Sequence, residues 1–313
     1  MTKIRLLVPC TARKSQPTHP NMEMCQYNTE DLNCALKNWE HIFKNSEFEE
    51  RVLAKDLYVG QAYSKLKQLA HRDELILDIL SAGYGLISGT EKLPSYNATF
   101  ASNKNHVPRP NHQWWSSVTH SKLPGRSFEG VFEENQQDFY ILTVSNAYLG
   151  AIEYDLLNTL KRFNDAKNRI AIISTSIPRK LEHFSQCFVQ CSRNVLGHVS
   201  GASVGLSLTD RNITAIATHL FVEKLEITKP DFNATIRDLN EEFALVTSNT
   251  AKKRTKRSDE FIVSYIEDKL LKQGKAPPSI NSAFKQYKTD GNACQDKRFA
   301  TLYKRIKSQK GLS

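Results

Sequence analysis

Four segments of this 313-residue chain run from apolar residues into a short polar loop, and the loops hold side chains suited to chemistry on a polar substrate. The loops are Cys10-Thr11-Ala12-Arg13-Lys14-Ser15, Ser81-Ala82-Gly83-Tyr84-Gly85-Leu86, Ser145-Asn146-Ala147-Tyr148 and Ser174-Thr175-Ser176. Each supplies a hydroxyl or a thiol, and together they add an amide, an arginine, a lysine and two tyrosines. Such a set hydrogen-bonds a polar planar ligand, and tyrosine faces can stack on it. The second loop continues through Glu91, Pro94, Tyr96 and Asn97. Glu91 is the acid nearest a strand end in the first three loops, and the first loop has no acid until Glu23. A carboxylate beside a base or sugar activates water or stabilises an oxocarbenium ion. The plainer alternative is that the Ser and Asn residues cap the helices that follow and that Glu91 is an ordinary loop acid.

Other motifs carry less. The six cysteines include no CxxC pair, and no zinc-ligand spacing follows Cys187 and Cys191, so thiols are expected and no metal. Gly83, Gly85 and Gly89 do not form GxGxxG, and no GxxxxGK[ST] occurs. Gly201-Ala-Ser203-Val-Gly205 matches a hydrolase nucleophile elbow, but the only later histidine is His219, on an expected helix. Trp114-Trp115, near Arg109 and His112, reads either as a stacking platform for nucleic acid or as core.

The elements that must position the four loops are legible as patterns. Apolar runs at Ile4–Pro9, Leu75–Leu80, Phe139–Val144 and Ile170–Ser174 predict buried strands, and a further strand is expected near Asn194–Val199. Helical spacing is present near Tyr58–Ala70, Ala147–Phe163 and Leu208–Val222. Strand–helix alternation predicts an α/β fold with a mainly parallel central sheet and helices on both faces. In such a sheet ligands bind outside the carboxyl ends of the strands, which places the four loops on one rim.

The net charge of +10 is unevenly distributed. Residues 252–313 carry 16 Lys+Arg against 6 Asp+Glu, so the remainder of the chain is neutral. A polyanion partner follows from that concentration, with a charged solubility face as the alternative. Residues 247–258 read as a basic linker carrying Lys252, Lys253, Arg254, Lys256 and Arg257. Three short helices then follow within 259–313, leaving Lys285, Lys288, Lys297, Arg298, Lys304 and Arg305 outside a small apolar face. That is the plan of a helical nucleic-acid-binding module. No run approaches a membrane span, and the N-terminal apolar run is too short for a secretory leader, so a cytoplasmic protein is expected. No obligate protein partner is evident.

The strand-end motifs have a relative. Cys10-Thr-Ala-Arg-Lys-Ser, Tyr58-Val-Gly-Gln-Ala-Tyr63, Leu80-Ser-Ala-Gly-Tyr-Gly-Leu-Ile87 and Pro94-Ser-Tyr96 resemble a YaaA-like bacterial domain family, itself similar to the uracil-DNA glycosylase fold. In layout the chain is most similar to anti-phage DNA glycosylases that excise glucosylated hydroxymethylcytosine and leave abasic sites. The resemblance, over about residues 1–220, implies a three-layer α/β sandwich (residues 1–246) acting on modified DNA by base flipping, with no metal or organic cofactor. Uracil-DNA glycosylases carry a catalytic Asp in the first strand-end loop; Cys10–Ser15 has none, and Glu91 is the expected substitute. The resemblance puts Asn146 at the base edge and His198 beside the leaving base. Tyr84, Tyr96 or Tyr148 would stack on the base, Ser81 and Ser145 would hydrogen-bond it, Cys10 would line the pocket, and Arg13 and Lys14 would hold a phosphate. A base-exchanging or deoxyribosyl transferase on tRNA or DNA, and a non-catalytic DNA-binding protein, are the alternative readings.

Overall fold

The computed structural model of the chain describes residues 2–29, 31–46, 50–199, 201–245, 254–271 and 277–311. Two compact units are present, Met1–Ser248 and Asn249–Ser313.

The first unit is built on a six-stranded sheet of β1 (Ile4–Pro9), β3 (Ile76–Ser81), β4 (Gly85–Ser88), β6 (Phe139–Thr143), β7 (Ile170–Ser174) and β8 (Phe188–Gln190), in the order β4-β3-β1-β6-β7-β8. All neighbours are parallel except β3 and β4, which form a hairpin. Nearly continuous apolar runs such as Ile-Ala-Ile-Ile in β7 reflect burial on both faces. Alternation along β6 shows what covers each face. Tyr140 packs on Phe128 and Phe132 of α5 (Phe128–Glu134), whereas its neighbour Phe139 packs on Phe232 of α10 (Phe232–Leu245). Thr143, on the Phe139 side, lies 2.7 Å from the Thr218 hydroxyl of α9 (Ile213–Lys224). The sheet is therefore a middle layer between two layers of helices.

The chain leaves β1 for β3 on one side through α3 (Gln61–Arg72), then crosses to β6 on the other. The carboxyl end of β1 is thus the topological switch point, where an α/β sheet opens a crevice. Toward the opposite end, Arg5 bridges two buried acids, Asp78 at 3.1 Å and Asp138 at 2.9 Å.

Two expected elements differ. Residues 194–199 do not form a strand: Ser192 caps a 3-10 turn, Arg193–Gly197, by accepting from Asn194 N, and the edge strand is Phe188–Gln190 instead. The stretch after Ser81 turns directly into β4.

In the second unit, α11 (Asp259–Tyr265), α12 (Ile280–Thr289) and α13 (Asp296–Gln309) share a small core of Ile262, Phe284, Tyr287, Phe299, Leu302 and Ile306. The Ser258 and Ser279 hydroxyls accept from the amides of Phe261 and Ser282 and start the first two helices. Part of the expected linker belongs to this unit: Thr255–Lys256 (β9) pairs with Asn292–Ala293 (β10). Lys252 and Lys253 lie outside the described residues.

Candidate functional site

The first loop is bound edge to edge to a second segment. Ser15 N donates to Leu57 O, Val59 N to Arg13 O, and the Thr11 hydroxyl contacts Val59 O at 3.0 Å. This pairing sets Lys14 against Tyr58. The Lys14 amine lies 5.3 Å from the centre of the Tyr58 ring and 4.7 Å from that of Tyr96, and it donates to Thr11 O at 2.6 Å. No carboxylate neutralises it among the described residues. Burial pushes its pKa below the ordinary lysine value, against a small opposing pull from Cys10. The tyrosine faces return part of the lost hydration.

A chain of hydroxyls runs beneath the amine. The Tyr58 and Tyr96 hydroxyls are 2.8 Å apart, and Tyr96 is 2.6 Å from the Ser81 hydroxyl at the end of β3. Ser81 also accepts from the amides of Gly83 and Tyr84, which fixes the β3–β4 turn. Trp39 and Trp114 secure the same turn by donating to Gly83 O and Ala82 O. Only glycine fits at position 83, since a Cβ there would sit 2.7 Å from the Tyr96 ring. On the other side of β1, the Cys10 thiol is 2.9 Å from the Tyr148 hydroxyl. Burial raises the Tyr58, Tyr96 and Tyr148 phenols well above their usual range, so all three are neutral. The result is an uncharged polar network with one amine at its upper edge.

Asn146 opens α6 (Asn146–Arg162) at the end of β6 and is exposed. Its Oδ1 accepts from the Thr175 hydroxyl at 3.0 Å and the Ser176 hydroxyl at 2.9 Å, both beyond the end of β7. Two hydroxyls thereby set the amide orientation, and its NH2 group makes no hydrogen bond among the described residues. Ser145, Ala12 and Arg13 are exposed on the same rim. A cleft of about 620 Å³ includes Gln61, Arg193, Ser207, Asp210 and Asn212 in its lining. Gln61 follows Gly60, whose added Cβ would lie 4.0 Å from Thr11.

Several expected roles are corrected. Glu91 is exposed and not on the rim. The β3–β4 hairpin carries the chain back down the sheet, with Ser88 opposite Asp78 and Gly89 N bonded to Leu77 O. Leu77 is four residues before Ser81, about 13 Å along the strand. Other acids are also committed: Asp78 to Arg5, Glu153 to Lys180, and Asp155 to Trp115 and the amides of Phe128 and Glu129. His198 sits after the 3-10 turn beyond edge strand β8, packed 5.3 Å from the Phe243 ring of α10, and does not join the Asn146 cluster. Tyr84 and Tyr96 are wholly buried, and Tyr148 is 7% exposed. Their rings pack on Trp39, on each other and on Phe100, so none presents a face to a base. Lys14 is half-buried, with its amine turned onto the Tyr58 and Tyr96 rings, so exposed Arg13 suits the phosphate role better. Trp114 and Trp115 are core rather than a wedge. The Gly201–Gly205 segment contains a short helix, Gly201–Val204, and no strand-to-helix elbow, while His219 is paired with Glu223.

In the sequence Thr175 and Ser176 stand out only as members of the fourth loop, and Tyr58 and Gln61 only within the Tyr58–Tyr63 motif, with no role assigned to any of them. Tyr58 had a local signal, since it precedes Gly60, whose φ of 143° breaks any helix there.

In the second unit Lys256, Lys285, Lys297, Lys304 and Arg305 are exposed and make no ion pair among the described residues. Others are partly committed: Arg298 to Asp259, Lys288 to Asp296 and the Phe284 ring, Arg254 to Lys288 O, and Arg257 to Asn292 and the Phe261 ring.

No curated protein and no solved structure matches the chain. A family model described as a family of unknown function, DUF6884, matches residues 44–169, a stretch that contains Tyr58, Ser81, Tyr96, Asn146 and Tyr148 but not Cys10 or Lys14.

Proposed function

We propose that the first unit is a DNA N-glycosylase that releases a modified base, with glucosylated hydroxymethylcytosine of phage DNA as its substrate, and that the second unit binds DNA phosphates. The observation that carries the reading is Asn146. Its Oδ1 accepts from two hydroxyls at the end of β6, next to the switch point, which leaves the NH2 group oriented to donate to a base edge. Charge accumulates on the base as the N-glycosidic bond breaks, and a preoriented donor stabilises it at that stage. Exposed Ser145, Thr175 and Ser176 surround the amide, and the polar cleft beside Gln61 offers hydrogen bonds to a sugar adduct. A base lacking the adduct leaves such groups unpaired, which can discriminate by about 10⁴–10⁵-fold. Exposed Arg13 supplies a phosphate contact, and Lys297, Lys304 and Arg305 on α13 supply others. A defence role against phages follows from the substrate.

The test is to treat modified phage DNA and matched unmodified DNA with the intact protein, count abasic sites, and identify the freed base by mass. Release from the modified DNA alone is the expected outcome. Release from neither would favour a DNA-binding protein without catalysis. Replacing Lys297, Lys304 and Arg305 by Gln should flatten the salt dependence of DNA affinity by a log–log slope of about 0.9 per lost phosphate contact.

A further inference from the structure

Among the described residues the one carboxylate lining the cleft, Asp210, is paired with Arg193, so a glycosylase on this rim needs another means of meeting the sugar cation. Glu91 is at the wrong end of the sheet, and the hydroxyl network of Ser81, Tyr58, Tyr96 and Tyr148 is neutral. The rim does have an amine. Lys14 sits at the carboxyl end of β1 above that network, with two tyrosine rings at 4.7 and 5.3 Å, a single donated hydrogen bond to Thr11 O, and no acid beside it. Lysines that form covalent intermediates with carbonyl carbons occupy such desolvated surroundings, because the neutral amine is the nucleophile. A lysine meant only for phosphate would extend into water, as Arg13 does.

We propose that Lys14 is the catalytic nucleophile, attacking C1′ of the target nucleotide and passing through an imine; this rests on the glycosylase reading. The Lys14 nitrogen donates its lone pair to C1′, and the bond from C1′ to the base breaks, the base leaving with the electron pair and taking a proton from water. The alkylated amine loses a proton, the C1′–O4′ bond opens with O4′ protonated, and C1′ becomes doubly bonded to Lys14. Hydrolysis by one water returns the free lysine and an aldehyde, the open form of an abasic site. Loss of the C2′ proton from the imine instead expels the 3′ phosphate and nicks the strand. No oxidant or reductant takes part. The burial that lowers the Lys14 pKa keeps a larger share of the amine neutral than for a surface lysine.

The experiment is reductive trapping. Intact protein is mixed with sodium cyanoborohydride and either duplex DNA carrying glucosylated hydroxymethylcytosine or duplex DNA carrying a preformed abasic site. Covalent complexes are resolved on a denaturing gel, and the modified peptide is mapped by mass. The expected result is a complex with both DNAs, mapped to Lys14 and absent, by at least 100-fold, in Lys14→Met and Lys14→Arg. Mapping on the unaltered protein keeps the test valid if either variant folds poorly. Base release with no trapped complex would overturn the Lys14 assignment and leave the glycosylase reading intact. Trapping at Lys14 on abasic DNA with no release from modified DNA would support the amine chemistry while removing the proposed base. A complex mapped to another lysine, or neither complex nor release, would overturn the proposal.

Discussion

The two ends of the central sheet solve the problem of buried polarity in different ways. Toward the amino end, Arg5 lies between Asp78 and Asp138, and every charge has a partner within 3.1 Å. At the carboxyl end the buried groups are hydroxyls and a thiol, and half-buried Lys14 beside them has no anionic partner among the described residues. A self-compensated cluster can hold strands in register and has nothing left for a ligand. An uncompensated amine over a neutral network costs stability and keeps reactivity. On the proposed reading, structure belongs to one end and chemistry to the other, although both are polar.

The largest effect should come from breaking the compensated end. Arg5→Met leaves two buried carboxylates without their cation and is expected to cost about 3–5 kcal/mol in denaturant unfolding. Base release per folded molecule should be unchanged; a matching fall in turnover would mean that the two ends are not separable. Ser81→Ala probes the other end. It strands the amides of Gly83 and Tyr84 and removes the partner of Tyr96, a loss of about 1–3 kcal/mol by the same unfolding measurement. A smaller effect sharpens the contrast through pH. The folded-state pKa of Lys14 lies below its unfolded value of 10.5. Below both values the folded protein bears the cost of a buried charge. As pH rises through the folded value the proton leaves and the cost disappears, and beyond the unfolded value the difference is constant. Native protein should therefore gain stability relative to Lys14→Met as pH climbs toward 10.5, read from paired thermal melts. A gap independent of pH would mean that the amine is ordinarily solvated. Turnover should rise over the same interval, with a midpoint below the usual lysine value.

The frame was legible from local pattern. Ile4–Pro9 and Ile170–Ser174 are strands with the expected limits, because a buried parallel strand is an unbroken apolar run between polar loops. The rim followed from the rule for parallel sheets, and Asn146 remains on it. What escaped depends on contacts distant in the chain. Glu91 is near Ser81 in sequence and far from it in space, because Gly85, with φ of 89°, turns the strand back on itself. Tyr84 reads as a loop residue, yet Trp39 and Phe43, more than forty positions earlier, draw its ring into the core. Residues 194–199 offer only a short apolar stretch, and the Ser192 cap decides for a 3-10 turn. In the second unit the Ser279 cap was legible as local chemistry, whereas the Ser258 cap and the pairing of Thr255–Lys256 with Asn292–Ala293 were not.

The central claim is that the carboxyl rim is where a base is released, and Asn146 tests it most directly. Single-turnover release of base from modified DNA should be compared between the native protein and Asn146→Ala, with DNA affinity measured in parallel. The account predicts a fall of about 10²–10³-fold in the rate, as for loss of one preoriented donor, with affinity retained. An undiminished rate in Asn146→Ala would contradict it and move the reaction away from the switch point of the sheet.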